Sequence, residues 1–199
     1  MTTSPAPAPA PTTTRDRVVD AAVRLTIDVG WARVTMGRLA DEVGVSRQTV
    51  YNEMGTKAGL AEAIIARELE RFLGVVTLAF DEHPDDLVAA IREATRSVLE
   101  LAQDNPLLHA VVSATHGADT ELLPLLTTQS ESLLVAAQGV VAERIAPYDV
   151  DLEPEQLDAA IDMVVRVVLS HVMQPSAPPA TTADRLAWLA ARVLRVRVG

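Results

Sequence analysis

Two short apolar stripes, separated by a three-residue turn, constrain this 199-residue chain more than any other feature. Met36, Leu39, Ala40 and Val43 recur at i, i+3, i+4 and i+7, which puts them on one face of a helix. Gly44 then permits a tight turn. A second helix starts at Ser46, with Val50 and Met54 pointing inward. Thr35 and Ser46 are good N-cap residues for the two helices. Val45 and Val50 occupy the N′ and N4 positions of a hydrophobic staple. A longer helix, from about Arg15 to Val29, precedes the pair and carries Val18, Ala21, Ala22 and Leu25 at the same period.

The rest of the chain continues this pattern. Helices are expected from Lys57 to about Phe80, Asp85 to Gln103, Pro106 to about His116, Thr120 to Ile145 with a bend near Pro124, Pro154 to Met173, and Ala183 to about Val196. Pro175–Thr182 reads as a Pro-rich connection, and no strand pattern or repeat is present. Residues 1–13 are Pro-, Ala- and Thr-rich and are expected to be a disordered tail. The expected fold is all-α, with about nine helices. It comprises a three-helix head over 14–60 and a helical body over 61–199.

Composition narrows the classes. Hydrophobic residues make up 49 % but aromatics only 3 %, so any cavity would be lined by alkyl groups. The absence of cysteine excludes a disulfide framework and thiolate metal or redox chemistry. No apolar run reaches membrane-spanning length, and no signal-peptide pattern opens the chain, so a cytoplasmic, membrane-free protein is expected. The net charge of −10 is unevenly placed. Residues 1–60 carry seven Lys/Arg against six Asp/Glu, and residues 61–199 carry ten against twenty-one. An acidic body repels nucleic acid, so contact with DNA would fall to the head.

Two amphipathic helices joined by a Gly-containing turn match the helix-turn-helix plan, in which the second helix enters the major groove. Projected at about 100° per residue, Gln48, Thr49 and Asn52 point away from Val50 and Met54. Tyr51 lies on the flank and Arg47 at the exposed N-terminal end. Gln and Asn pair with adenine and Arg with guanine. Thr35, Arg38, Ser46, Tyr51 and Lys57 suit phosphate contacts. An exposed polar helix face fits an ordinary helical subdomain as well.

The stretch VTMGRLADEVGVSRQTVYNEMGTKAGL (34–60), preceded by RDRVVDAAVRLTIDVGW, resembles the DNA-binding head of TetR-family repressors. The matching features are the Thr before the second helix, the Leu-Ala pair, the Gly-Val-Ser turn, the Tyr of the third helix, and the Lys and Leu that begin the fourth. Met54 stands where the family usually has Phe. The resemblance implies a homodimer whose two heads meet successive major grooves of a palindromic double-stranded operator. It also implies a body that binds a small effector and releases the heads.

In the body, 154–173 is apolar nearly all round, including Leu157, Ile161, Val164, Val165 and Val168. Such a helix needs cover on every side, either inside the body or from a second copy. The last helix offers Leu186, Leu189, Val193 and Leu194 as one stripe, with Trp188 beside it. Both helices are therefore expected at a dimer surface, as the resemblance also implies. A pocket is expected among the middle helices, with Thr95, Leu99, His109, Ser113, His116, Gln129, Leu133 and Val165 as candidate ligand contacts. With so few aromatics, the expected effector is a fatty acid, acyl derivative or hydrocarbon. The TELLPLLTTQS segment and the Pro-rich joint resemble those of actinobacterial TetR-like regulators associated with lipid or alkane metabolism.

His109 and His116 share a helix face and could begin a metal site or be plain hydrogen-bonded histidines. No close ligand cluster accompanies them, so no metal or cofactor is expected. Asp162 could pair with Arg166 at i+4 or touch a ligand. No Ser/His/Asp order, phosphate loop or EXXH pair points to an enzyme. An interaction module with a silent head remains the alternative.

Overall fold

The computed structural model describes residues 13–115 and 130–194. They form nine α-helices and no strand: α1 Thr14–Val29, α2 Met36–Val43, α3 Arg47–Met54, α4 Lys57–Glu82, α5 Leu87–Gln103, α6 Pro106–Thr115, α7 Ser130–Ile145, α8 Pro154–Met173 and α9 Pro179–Val193. A 3₁₀ turn, Trp31–Arg33, follows α1. The chain divides into two compact units, up to Ile64 and from Ile65, with α4 running from one into the other.

The first unit is built around fully buried Val18, Ala21, Ala22, Val34, Leu39, Val50 and Leu60. All but Val34, which lies in the extended link before α2, come from the inward stripes of their helices, so there the sequence period and the core coincide. Met54 is 5 % exposed and fills the inner end of α3. Thr13 opens α1 through a capping box with Asp16, so it belongs to the helix start. Gly44 ends α2 in the left-handed conformation at φ 74°, with its N–H and that of Val45 both donating to the Ala40 carbonyl. Two arginines of α1 stitch this unit together. Arg17 donates to the Val43 carbonyl at the end of α2, and Arg15 donates to the Glu53 carbonyl near the end of α3 at 2.6 Å. Both cations lie at the negative ends of helices, where they stabilise most.

In the second unit, α9 lies along α5. Alanines at 90 and 94 of α5 and at 183, 187 and 190 of α9 are buried, which lets the two helices approach closely. Phe80, Leu87, Ile91, Ile145, Ile161 and Val165 complete the core. Tyr148 pins the end of α4, donating its hydroxyl to the His83 carbonyl at 2.7 Å while its ring meets Phe80 edge-on.

Two expectations shift. The last helix begins at Pro179, within the stretch expected to be a connection. Proline fits the first helical position because its ring presets φ and its missing N–H would have no partner there. The stripe expected on that helix also divides. Leu186 and Leu194 are buried, whereas Leu189 and Val193 are 46 % and 44 % exposed. Buried Ala183, Ala187 and Ala190 set the inward direction, and the other two residues sit about 80–120° away from it. Of the expected 120–145 helix, 130–145 is helical, and the part before Ser130 lies outside the described residues.

Candidate functional site

In the first unit, α3 presents a polar face. Arg47, Gln48, Tyr51 and Asn52 are exposed, while Val50 and Met54 anchor the opposite side. Gln48 donates its amide to the Asn52 side-chain oxygen at 2.8 Å. That contact leaves a carbonyl oxygen on Gln48 and an NH₂ on Asn52, one acceptor beside one donor. Adenine offers the complementary pair in the major groove.

The other expected contacts build the helix starts. The Ser46 hydroxyl accepts from the Thr49 N–H at 3.0 Å and meets the Thr49 hydroxyl at 2.9 Å. Thr35 accepts from the Arg38 N–H at 3.3 Å, and Arg38 reaches back to the Arg33 carbonyl at 3.1 Å. Lys57 is half-buried, with its ammonium 5.1 Å from the centroid of the Trp31 ring. The Arg47 side chain lies along α2, because a Cβ placed on Gly37 would meet Arg47 Nε at 3.6 Å. The room that glycine leaves at the start of α2 is thus lined by Arg47.

Sequence reasoning missed the joint behind this face. Gly55 has φ 69° and ψ −79°, and the Thr56 N–H donates to the Met54 carbonyl at 2.8 Å, which is a γ-turn. Thr56 then caps α4, accepting from the Gly59 N–H at 3.1 Å. A Cβ on Gly59 would stand 2.4 Å from the Met54 oxygen. A local cue existed, since glycines at 55 and 59 flank the capping Thr56, but the collision partner is a backbone atom of the preceding helix.

In the second unit, a cavity of about 230 Å³ opens between Leu99, Ala102 and Gln103 of α5, Leu108 and His109 of α6, and His171, Val172 and Met173 of α8. Pro175, Ala177 and Pro179 also line it. The lining is mostly aliphatic, as the composition implies. Of the expected ligand contacts, the structure brings Leu99 and His109 together here. Thr95 is buried elsewhere on α5, Val165 belongs to the core, and Leu133 is half-buried on α7. Ser113 lies on α6 but its side chain, like His116 and Gln129, is outside the described residues. His171 was not expected at the cavity. Its Nδ1 lies 2.9 Å from the Val167 carbonyl and its Nε2 3.1 Å from the Ser176 hydroxyl, so both ring nitrogens are engaged. Among the described residues no cluster of three metal-ligating side chains occurs, and no helix is long and apolar enough to cross a membrane.

Comparison with known proteins matches both units. Residues 18–64 fit the family model for bacterial regulatory proteins of the tetR family. Residues 86–192 fit the bacterial tetracyclin repressor C-terminal domain. The HTH-type transcriptional regulator AlkX of Mycobacterium tuberculosis is 30% identical over 161 residues, covering 81% of this chain and 75% of that protein. The nucleoid occlusion factor SlmA of Vibrio cholerae is 32% identical over 100 residues, half of each chain. Among solved structures, the TetR family repressor AlkX from Dietzia sp., implicated in biodegradation of n-alkanes, superposes with a TM-score of 0.72 at 28% identity, over 92% of this chain and 96% of that one. The fatty acid degradation regulator FadR of Bacillus halodurans shares the fold at 18% identity and a TM-score of 0.53, over 97% of this chain and 100% of that one. The matched families and the AlkX relatives are regulators of transcription, not enzymes. With one family model matching the head at 18–64 and a second matching the body at 86–192, this chain belongs to the TetR family of DNA-binding transcriptional regulators.

Proposed function

We propose that this protein is an effector-responsive repressor that acts in the cytoplasm as a homodimer on a palindromic operator. One observation carries the DNA reading: the outward face of α3 holds four exposed hydrogen-bonding side chains on a helix whose other face is fixed in the core. In this reading Gln48 and Asn52 read bases as a joined pair, Arg47 reads guanine or an adjoining phosphate, and Tyr51 binds phosphate. Thr35, Arg38, Ser46, Thr49 and Lys57 hold the helix starts and the backbone donors that face the duplex.

Dimerisation is a family property, and α8 and α9 are the proposed surface for it. They carry six of the ten large exposed apolar side chains among the described residues: Met163, Leu169, Met173, Trp188, Leu189 and Val193. The proposed effector is a small apolar molecule such as a fatty acid, acyl derivative or hydrocarbon, seated in the cavity near Leu99 and His109. The aliphatic lining supports this, as does the n-alkane connection of the Dietzia relative.

Footprinting of DNA upstream of the protein's own gene tests the proposal. The expected result is a protected palindrome with half-sites about one helical turn apart. Gln48→Ala combined with Asn52→Ala is expected to cost about 1–3 kcal/mol at the base pair they read while leaving nonspecific binding in place. Arg47→Ala with Tyr51→Ala is expected to weaken binding to all sequences and to flatten its salt dependence. Adding fatty acids or n-alkanes is expected to release the DNA. No protection in any effector state would sink the repressor reading.

A further inference from the structure

The outward face of α8 carries an ion pair amid apolar side chains. Arg166 Nε lies 2.9 Å from both oxygens of Asp162, and Gln138 of α7 donates to the same carboxylate at 2.5 Å. The carboxylate is thus held from two helices. At about 100° per residue, Asp162 and Arg166 fall between exposed Met163, Leu169 and Met173. The side chain of Arg166 is 58% exposed, and its two terminal NH₂ groups have no partner among the described residues.

We propose that the Asp162–Arg166 pair sets the register of the homodimer: a second copy of this chain covers α8, and Arg166 accepts only those alignments that bring a carboxylate of the partner within reach. This rests on the reading of α8 and α9 as the dimer surface. In the free subunit the pair is wet and contributes little. Covered by a partner, the terminal donors of Arg166 lose water and require acceptors. Acidic groups lie on and beside the same face, at Glu155, Asp158 and Asp162. Two-fold symmetry doubles the effect, because whatever Arg166 meets on the second copy, the partner's Arg166 meets here. The apolar neighbours supply affinity without preferring one alignment, and the charged pair supplies the preference.

Sedimentation equilibrium of the full chain tests this with three variants, each checked for helical content. Leu169→Asp is expected to be monomeric. If it dimerises like the parent, the surface is elsewhere and the reading beneath this inference fails. Asp162→Ala leaves Arg166 uncompensated and is expected to weaken the dimer by roughly a hundredfold or more. If Leu169→Asp is monomeric while Asp162→Ala keeps the parent's dissociation constant, the pair sits in solvent and the inference is overturned. The double variant Asp162→Leu/Arg166→Met is expected to dimerise as tightly as the parent or more so, but in more than one alignment. The chain has no cysteine, so Ala159→Cys and Ser170→Cys placed in each background report alignment by cross-linking. A broader cross-linking profile in the double variant supports the inference, and an unchanged one assigns register to the apolar contacts and overturns it.

Discussion

Gly59→Ala is expected to destabilise the DNA-binding head and to weaken operator binding, although the same change elsewhere on that helix is expected to stabilise. Alanine inside a helix ordinarily gains about 0.5–1 kcal/mol over glycine. At position 59 the new Cβ would stand 2.4 Å from the Met54 carbonyl oxygen, a distance no carbon tolerates. The oxygen cannot retreat easily. It already accepts the Thr56 N–H at 2.8 Å across the γ-turn, and Gly55 occupies a conformation open only to glycine. The strain therefore passes into the end of α3, whose outward face is the proposed reading surface. Overpacking of this kind costs about 1–3 kcal/mol, or roughly 2–4 °C of melting temperature per kcal/mol for a chain of this size. Gly74→Ala supplies the control. It lies on α4 with open space around it, and is expected to raise the melting point slightly and to leave DNA binding untouched. Thermal denaturation and gel-shift titration of both variants decide the matter. A Gly59→Ala protein as stable as the parent that still binds DNA would show that α3 and α4 are not locked through this contact.

The contrast between these glycines marks the boundary of what a sequence displays. The caps at Thr35 and Ser46, the inward Val50 and Met54, and the outward Gln48 and Asn52 depend on neighbours within a turn of helix, so their spacing reveals them. The constraint on Gly59 comes from a carbonyl five residues back and across a turn. The bonds from Arg15 and Arg17 to the ends of α3 and α2 span 38 and 26 residues. No local period encodes such partners. The same reasoning covers the cavity. Leu99 and His109 were recognisable as an apolar and a polar lining type, but His171 was hidden in a helix whose period reads as apolar throughout. Its ring is satisfied by Val167 one turn away and by Ser176 beyond the helix end. On α9, Leu189 and Val193 resemble core residues in composition. Only the packing of the α9 alanines on α5 turns those two outward, and that packing depends on helices nearly a hundred residues apart.

Replacing Asn105 should markedly destabilise the second unit, because three roles meet in one buried residue. Asn105 is 2 % exposed. Its oxygen accepts the Leu108 N–H at 3.0 Å and so caps α6, while its NH₂ donates to the Glu68 carboxylate of α4 at 2.6 Å. Its backbone carbonyl accepts the His109 N–H at 3.1 Å. Leu108 and His109 both line the cavity, so the cap also fixes that wall. Asn105→Ala forfeits a cap, about 1 kcal/mol, and a hydrogen bond to a charged group, about 1.5–3 kcal/mol. The expected fall in melting temperature is about 5–16 °C. Asn105→Asp separates the two losses. It keeps the capping oxygen but sets a second carboxylate against Glu68, which raises the folded-state pKa of the pair above the unfolded value. The folded protein then binds more protons than the unfolded chain, so the variant gains stability as the pH falls through the carboxylate range and loses it as the pH rises. Thermal melts between about pH 4 and pH 8 should therefore show Asn105→Asp falling below Asn105→Ala at neutral pH and recovering towards the parent in acid. If Asn105→Asp instead tracks Asn105→Ala at every pH, Glu68 is not the partner that matters, and α6 is held by its cap and its apolar face alone.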